Sequence, residues 1–109
     1  MANTIVAGGR QIRITGLDAD FLYSTNITGV TGSLIALKSI SFVPSAANDR
    51  MIVHDESLDG AELFDTGVVS GTDARTKYFD PPHWCNPYLD ISDCTLSNAA
   101  NAKLIFETA

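Results

Sequence analysis

Apolar and polar residues alternate with a period of two along most of the chain, the repeat of a strand with one face in a core and the other in water. Gln11-Ile12-Arg13-Ile14-Thr15 shows it most plainly, with Ile12 and Ile14 facing a core and Gln11, Arg13 and Thr15 facing solvent. Leu34 to Val43 is apolar in both registers, with Ala36, Ile40 and Phe42 on one side and Ile35, Leu37 and Val43 on the other. It therefore predicts a central strand, ended by Pro44. Arg50 to His54, the polar segment Asp55 to Gly60, and Ala61 to Asp65 predict a hairpin closed at Asp59-Gly60. Ala74 to Phe79, Tyr88 to Ile91 and Ala102 to Thr108 predict three further short strands, the last with Leu104 and Phe106 inward and Lys103 and Glu107 outward. No stretch carries a sustained helical period. The expected fold is all-β: a compact antiparallel β-sandwich, jelly-roll-like, or a barrel, with about seven or eight short strands and little helix. Two segments of similar composition, Ser45 to Asp49 and Ser97 to Ala102, lie beside apolar strands and read as tight loops or short helical turns. Residues 1–9 are small, polar and Gly-rich and predict an N-terminal arm, leaving residues 10–109 as a single domain.

The chain has 109 residues, with 7 Lys and Arg against 13 Asp and Glu, a formal charge of −6. That length holds one small core. The acidity lacks the basic stripe that drives nucleic-acid binding and would be repelled by anionic lipid, and the apolar runs fall far short of the ~20 residues of a membrane helix. Met1-Ala2-Asn3-Thr4 shows no charged-then-apolar signal pattern, so synthesis in a reducing cytoplasm is expected. Two cysteines, Cys85 and Cys94, are too few for a disulfide scaffold and are expected to be free buried thiols, with a single bridge as the alternative.

Candidate chemistry is sparse. Asp55-Glu56-Ser57-Leu58-Asp59-Gly60 matches the first half of a calcium loop, but Thr66 stands where the bidentate Glu is needed, so a solvated hairpin loop is expected. His54, His83, Cys85 and Cys94 lack zinc-ligand spacing. His83 and Cys85, two apart, would share a strand face as a nucleophile pair, with no third group to orient them. Asp90 and Asp93 could form a carboxylate pair, although Asp93-Cys94-Thr95 reads as turn chemistry. Asn26-Ile27-Thr28 is a formal glycosylation sequon. These readings lead to a non-enzymatic protein without cofactor or metal. The most distinctive stretch is Asp80-Pro81-Pro82-His83-Trp84-Cys85-Asn86-Pro87-Tyr88, either a rigid recognition loop anchored by Trp84, Pro87 and Tyr88 or a core-capping loop with Trp84 tucked over one end.

Lys38 to Asp49, Arg75 to Phe79, Trp84-x-x-Pro87-Tyr88-Leu89-Asp90, Asp93 to Ser97 and the closing Ala102 to Glu107 resemble short structural proteins of tailed bacteriophages, over residues 34–109. The resemblance implies a virion component on the outer capsid surface: a decoration (cement) protein that binds the major capsid protein and stabilises the shell. A head-fibre or tail module binding a host receptor or glycan is the alternative, with Trp84, Tyr88 and Tyr78 as stacking platforms. No site residue carries over from the family. Symmetric sites on a shell favour a homo-oligomer, a trimer first, and an arm of Met1, Ala2, Asn3, Thr4 and Ile5 could reach a neighbour as an added strand.

Overall fold

The structure is a computed structural model that describes residues 3–8, 10–17, 19–26 and 34–108. Among the described residues there are nine strands: β1 (Thr4–Gly8), β2 (Gln11–Thr15), β3 (Phe21–Leu22), β4 (Ile35–Val43), β5 (Ile52–Asp55), β6 (Glu62–Asp65), β7 (Arg75–Cys85), β8 (Pro87–Leu89) and β9 (Lys103–Thr108). They form a five-stranded sheet in the order β1-β2-β9-β4-β7 and a four-stranded sheet in the order β3-β8-β5-β6, every pair antiparallel. From β2 onward these are the two interleaved four-stranded sheets of a jelly roll, with β1 as a ninth strand on one edge. One helical turn, α1 (Tyr23–Asn26), and two 3-10 turns, Ile91–Asp93 and Ala99–Asn101, complete the regular structure.

The core lies between the sheets. Ile12, Ile14, Ile40, Phe42, Leu104 and Phe106 meet Phe21, Val53, Phe64 and Leu89 there, and the Phe21 and Phe106 rings stack across it at 5.8 Å. Alternation fixes which residues reach it: Ile12 and Ile14 are buried while Gln11 and Arg13 are exposed, as expected. β4 departs from simple alternation. Leu37 is buried together with Ile40 and Phe42, because Lys38 is an extra residue in the pairing with β9 and stands at the register break with β7, which shifts the faces by one. The assignment of Leu37 to the side opposite Ile40 is thereby corrected.

Residues 4–8 are not a free arm. They pair along their length with β2, Thr4 opposite Thr15 and Gly8 opposite Gln11, and half-buried Ile5 packs on the core. Asn3 is tied to Ala19 by a reciprocal pair of hydrogen bonds, Nδ2 donating to the carbonyl at 2.7 Å and Oδ1 accepting from the amide at 2.9 Å. An internal strand offers the nearest unpaired partner, so this segment is used within its own chain. Met1, Ala2 and Gly9 lie outside the described residues.

The two segments of similar composition pack on each other. Fully buried Asp49 accepts through Oδ2 from the Ser45 amide (2.7 Å), the Ser45 hydroxyl (2.6 Å) and the Ala46 amide (3.2 Å), and through Oδ1 from the Ser97 amide (2.9 Å). The Ser45 hydroxyl in turn accepts from the Asn98 amide at 3.0 Å. Burial works to raise the Asp49 carboxyl, and these donors outweigh it, holding its pKa below the ordinary 3.8.

Candidate functional site

The chemical candidates separate when placed in the fold. His54 lies on β5 of one sheet and His83 on β7 of the other. His83 is exposed and stacks on Phe79 at 5.9 Å, whereas Cys85 is buried, so the two do not present a shared reactive face. Both thiols are free, and burial pushes Cys85 up to about 12 and Cys94 to about 11, the inert form of the side chain at neutral pH. His54 Nδ1 is buried without a hydrogen-bond partner, 4.0 Å from Asp93 Oδ2. Among the described residues, no group of three or more His, Cys, Asp or Glu side chains could hold a metal ion.

The acidic candidates are structural. Asp55 Oδ1 accepts from the Asn86 amide at 2.9 Å, and buried Asn86 exchanges hydrogen bonds with Ser24, its Oδ1 accepting from the amide (3.0 Å) and its Nδ2 donating to Oγ (2.9 Å). The half-match to a calcium loop is therefore a joint between α1, the β5–β6 loop and the β7–β8 junction. Gly60 closes that loop where a Cβ would sit 1.7 Å from the Asp55 carbonyl oxygen. Asp90 caps the first 3-10 turn, accepting from the Ser92 amide and hydroxyl at 3.0 and 2.6 Å, so it does not pair with Asp93 as a catalytic dyad.

The proline-tryptophan stretch is strand rather than loop: Pro81 to Cys85 belong to β7 and Pro87 to Leu89 are β8. Trp84 pairs with Ala36 on the outer side and is 65% exposed, which excludes the core-capping position. Tyr78, on the same strand, is 74% exposed. Pro87 is buried, and Tyr88 is half-buried with its hydroxyl 3.5 Å from Asp90 Oδ2, so neither joins Trp84 as a surface anchor. The sequence reading missed Phe79, Arg10 and Lys38, which meet Tyr78 at one corner of the five-stranded sheet. Leu37 pairs with His83 and Ser39 with Tyr78, so Lys38 alone faces the four residues Phe79 to Pro82. Arg10, Lys38, Tyr78, Phe79, Asp80 and Pro82 line an open groove of about 590 Å³ there.

Charge divides between the sheets. Six of the seven basic residues, Arg10, Arg13, Lys38, Arg75, Lys77 and Lys103, lie on the five-stranded sheet or its β1–β2 turn, against two acidic ones, Asp80 and Glu107. Of these, Arg75 and Lys77 stand opposite Phe42 and Ile40 and face β6 of the other sheet, Lys77 Nζ donating to the Leu63 carbonyl at 3.0 Å. The four-stranded sheet and the loops carry Arg50 alone against ten described carboxylates, of which Asp49 is fully buried. Arg50 is itself engaged in a two-pronged pair with Asp65, Nε to Oδ1 at 3.0 Å and Nη2 to Oδ2 at 2.6 Å. The outer face of the five-stranded sheet runs across the strands as Val6, Arg13, Ile105, Ser41 and Thr76, with the Ser41 and Thr76 hydroxyls 3.0 Å apart.

No family model, curated protein or solved structure matches this chain.

Proposed function

We propose that this protein is a non-enzymatic virion component: a capsid decoration protein that binds the major capsid protein on the outer shell of a tailed phage. The observation that carries the choice of docking face is the division of charge, with Arg10, Arg13, Lys38 and Lys103 at the outer face of the five-stranded sheet and most carboxylates on the four-stranded sheet and the loops. Exposed Glu56, Asp59 and Glu62 belong to the β5–β6 hairpin, and the exposed apolar side chains Leu58 and Val68 flank β6 at its two ends. Carboxylates around apolar contacts suit a basic patch on a shell subunit, with the charges supplying rate and orientation and the apolar groups affinity. A rigid sandwich that binds only the assembled shell stabilises it by linkage, and many copies act together. Symmetric shell sites favour a homo-oligomer, a trimer first. The resemblance to phage structural proteins and the jelly-roll fold support this reading by analogy.

The test is co-sedimentation with expanded capsids that lack the protein, together with the thermal transition of those capsids. Binding that raises the transition, weakens with salt, and falls at least tenfold in a Glu56→Gln, Asp59→Asn, Glu62→Gln variant is expected. No sedimentation at low ionic strength overturns the proposal. A second reading, a fibre or tail module that binds a host glycan, is favoured by one observation, the two large aromatics exposed on β7.

A further inference from the structure

We infer that the groove at the bulged corner of β4 and β7 binds an acidic sugar residue, a pyranose bearing a carboxylate, as part of a polysaccharide. This deepens the glycan-binding reading and rests on it; the capsid assay does not bear on it.

The corner brings together three groups that a sugar acid requires and that few other ligands use at once. Tyr78 offers a ring face to solvent, the surface on which the C–H face of a pyranose stacks. Arg10 and Lys38 place a guanidinium and an ammonium at the same groove, donors for a carboxylate. Asp80 supplies an acceptor for ring hydroxyls. The presence of Asp80 is what discriminates: it would repel an inorganic polyphosphate or a run of acidic side chains, whereas a ligand with both hydroxyls and a carboxylate uses both signs of charge.

The site is held by backbone as well as by side chains. The Arg10 carbonyl accepts from the Thr108 amide at 2.8 Å, fixing the β1–β2 turn against the end of β9. Lys38 is projected by the bulge and lies 3.7 Å from Glu107 Oε1, an exposed pair that a ligand carboxylate can replace at small cost. Phe79 is steadied by the His83 ring and by Lys77 Nζ, 5.1 Å from its centroid. At about 590 Å³ the groove is of the size that takes one or two sugar rings. Its position on the basic sheet matters because an acidic polymer would be repelled by the opposite side, which orients it.

The experiment is titration of the full chain with trigalacturonic acid, with neutral galactotriose and inorganic tripolyphosphate alongside, followed by calorimetry and amide NMR shifts. Trigalacturonic acid should bind at the groove, shifting amides around residues 38 and 78–82. Tyr78→Ala and Arg10→Gln should each weaken it roughly tenfold, the range expected for loss of one ring or one charged contact. Tripolyphosphate binding as tightly, with Tyr78→Ala without effect, would reduce the corner to a cation patch and overturn the inference. Binding of galactotriose alone, lost in Trp84→Ala, overturns it while leaving the glycan reading in place. No binding of either saccharide defeats both. The substituted side chains are exposed, and an unchanged thermal transition in each variant confirms that folding is intact.

Discussion

Replacing Asp49 by Ala removes one carboxylate and strands four donors from two distant segments. The carboxylate is inaccessible to solvent and accepts at 2.6 to 3.2 Å from Ser45, Ala46 and Ser97. A hydrogen bond to a charged acceptor contributes about 1.5–3 kcal/mol, and a buried donor left unpaired costs about 1–3 kcal/mol. The four are not additive, and water can reach the half-buried Ser45 and Ala46, so about 3–5 kcal/mol is expected for Asp49→Ala. For a domain of this size that lowers the melting temperature by on the order of 15 °C or more. Asp49→Asn keeps one acceptor oxygen and turns an NH₂ toward donors, so it should lose a comparable share. The acid limb gives an independent check. Because the folded pKa is below the ordinary 3.8, the ionised form stabilises the fold, fully above the unfolded value and progressively less as pH falls through the folded one. Wild type should therefore lose stability below about pH 4 faster than Asp49→Asn, which has no proton to take up there. Urea unfolding from pH 2.5 to 7 measures both quantities. A loss under 1 kcal/mol for Asp49→Ala, or parallel acid limbs for wild type and Asp49→Asn, would refute the assignment of this carboxylate as the pin between the two segments.

Other consequences can be checked separately. Phe106→Ala empties a fully buried position beside Phe21 and should cost about 3–5 kcal/mol by chemical denaturation, against under half of that for Phe106→Leu. Gly60→Ala drives a Cβ into the Asp55 carbonyl and should cost more than about 2 kcal/mol; a neutral result would mean that the hairpin loop closes differently. Cys85 and Cys94, pushed up to about 12 and 11, should react with a disulfide reagent at pH 8 far more slowly than a free thiol until the protein is unfolded. The Arg50–Asp65 pair is partly exposed, so a double-mutant cycle should return a coupling that shrinks from 0.1 to 1 M salt.

Much of the fold was legible because strand alternation is a local signal. Ile12, Ile14, Leu104 and Phe106 each needed only their neighbours to be placed inside. β1 was not legible: its small residues carry little alternation, and what makes it a strand is the free edge of β2 beside it, a tertiary fact. The reach of β7 to Cys85 was hidden by Pro81 and Pro82, which argue against a central strand but are tolerated on an edge, where no ladder partner awaits their missing N–H groups. The groove depended on that same edge. Lys38 inside an apolar run was the one signal available, a charge at a position of a buried strand that only a bulge would turn outward.

The net charge of −6 also concealed more than it told, because it averages over a strand order that sorts charge. The basic residues are spread from position 10 to 103, yet Arg13, Lys38 and Lys103 share one sheet with Arg10 in its adjoining turn and arrive on its outer side, while Arg75 and Lys77, opposite Phe42 and Ile40, face the β6 edge of the other sheet. Sheets pack about 10 Å apart and outward side chains add several ångströms on each side, while the screening length at physiological salt is about 8 Å. The two sides therefore act on a partner as separate surfaces rather than as their sum. An acidic partner excluded by the total charge can still approach the five-stranded sheet, and a basic shell surface meets the other. Capsid docking and binding of a sugar acid are accordingly compatible in one molecule, one on each side. Each should weaken with salt and respond to substitutions on its own sheet alone, and a variant on one sheet that alters binding at the other would mean that the sides are not independent.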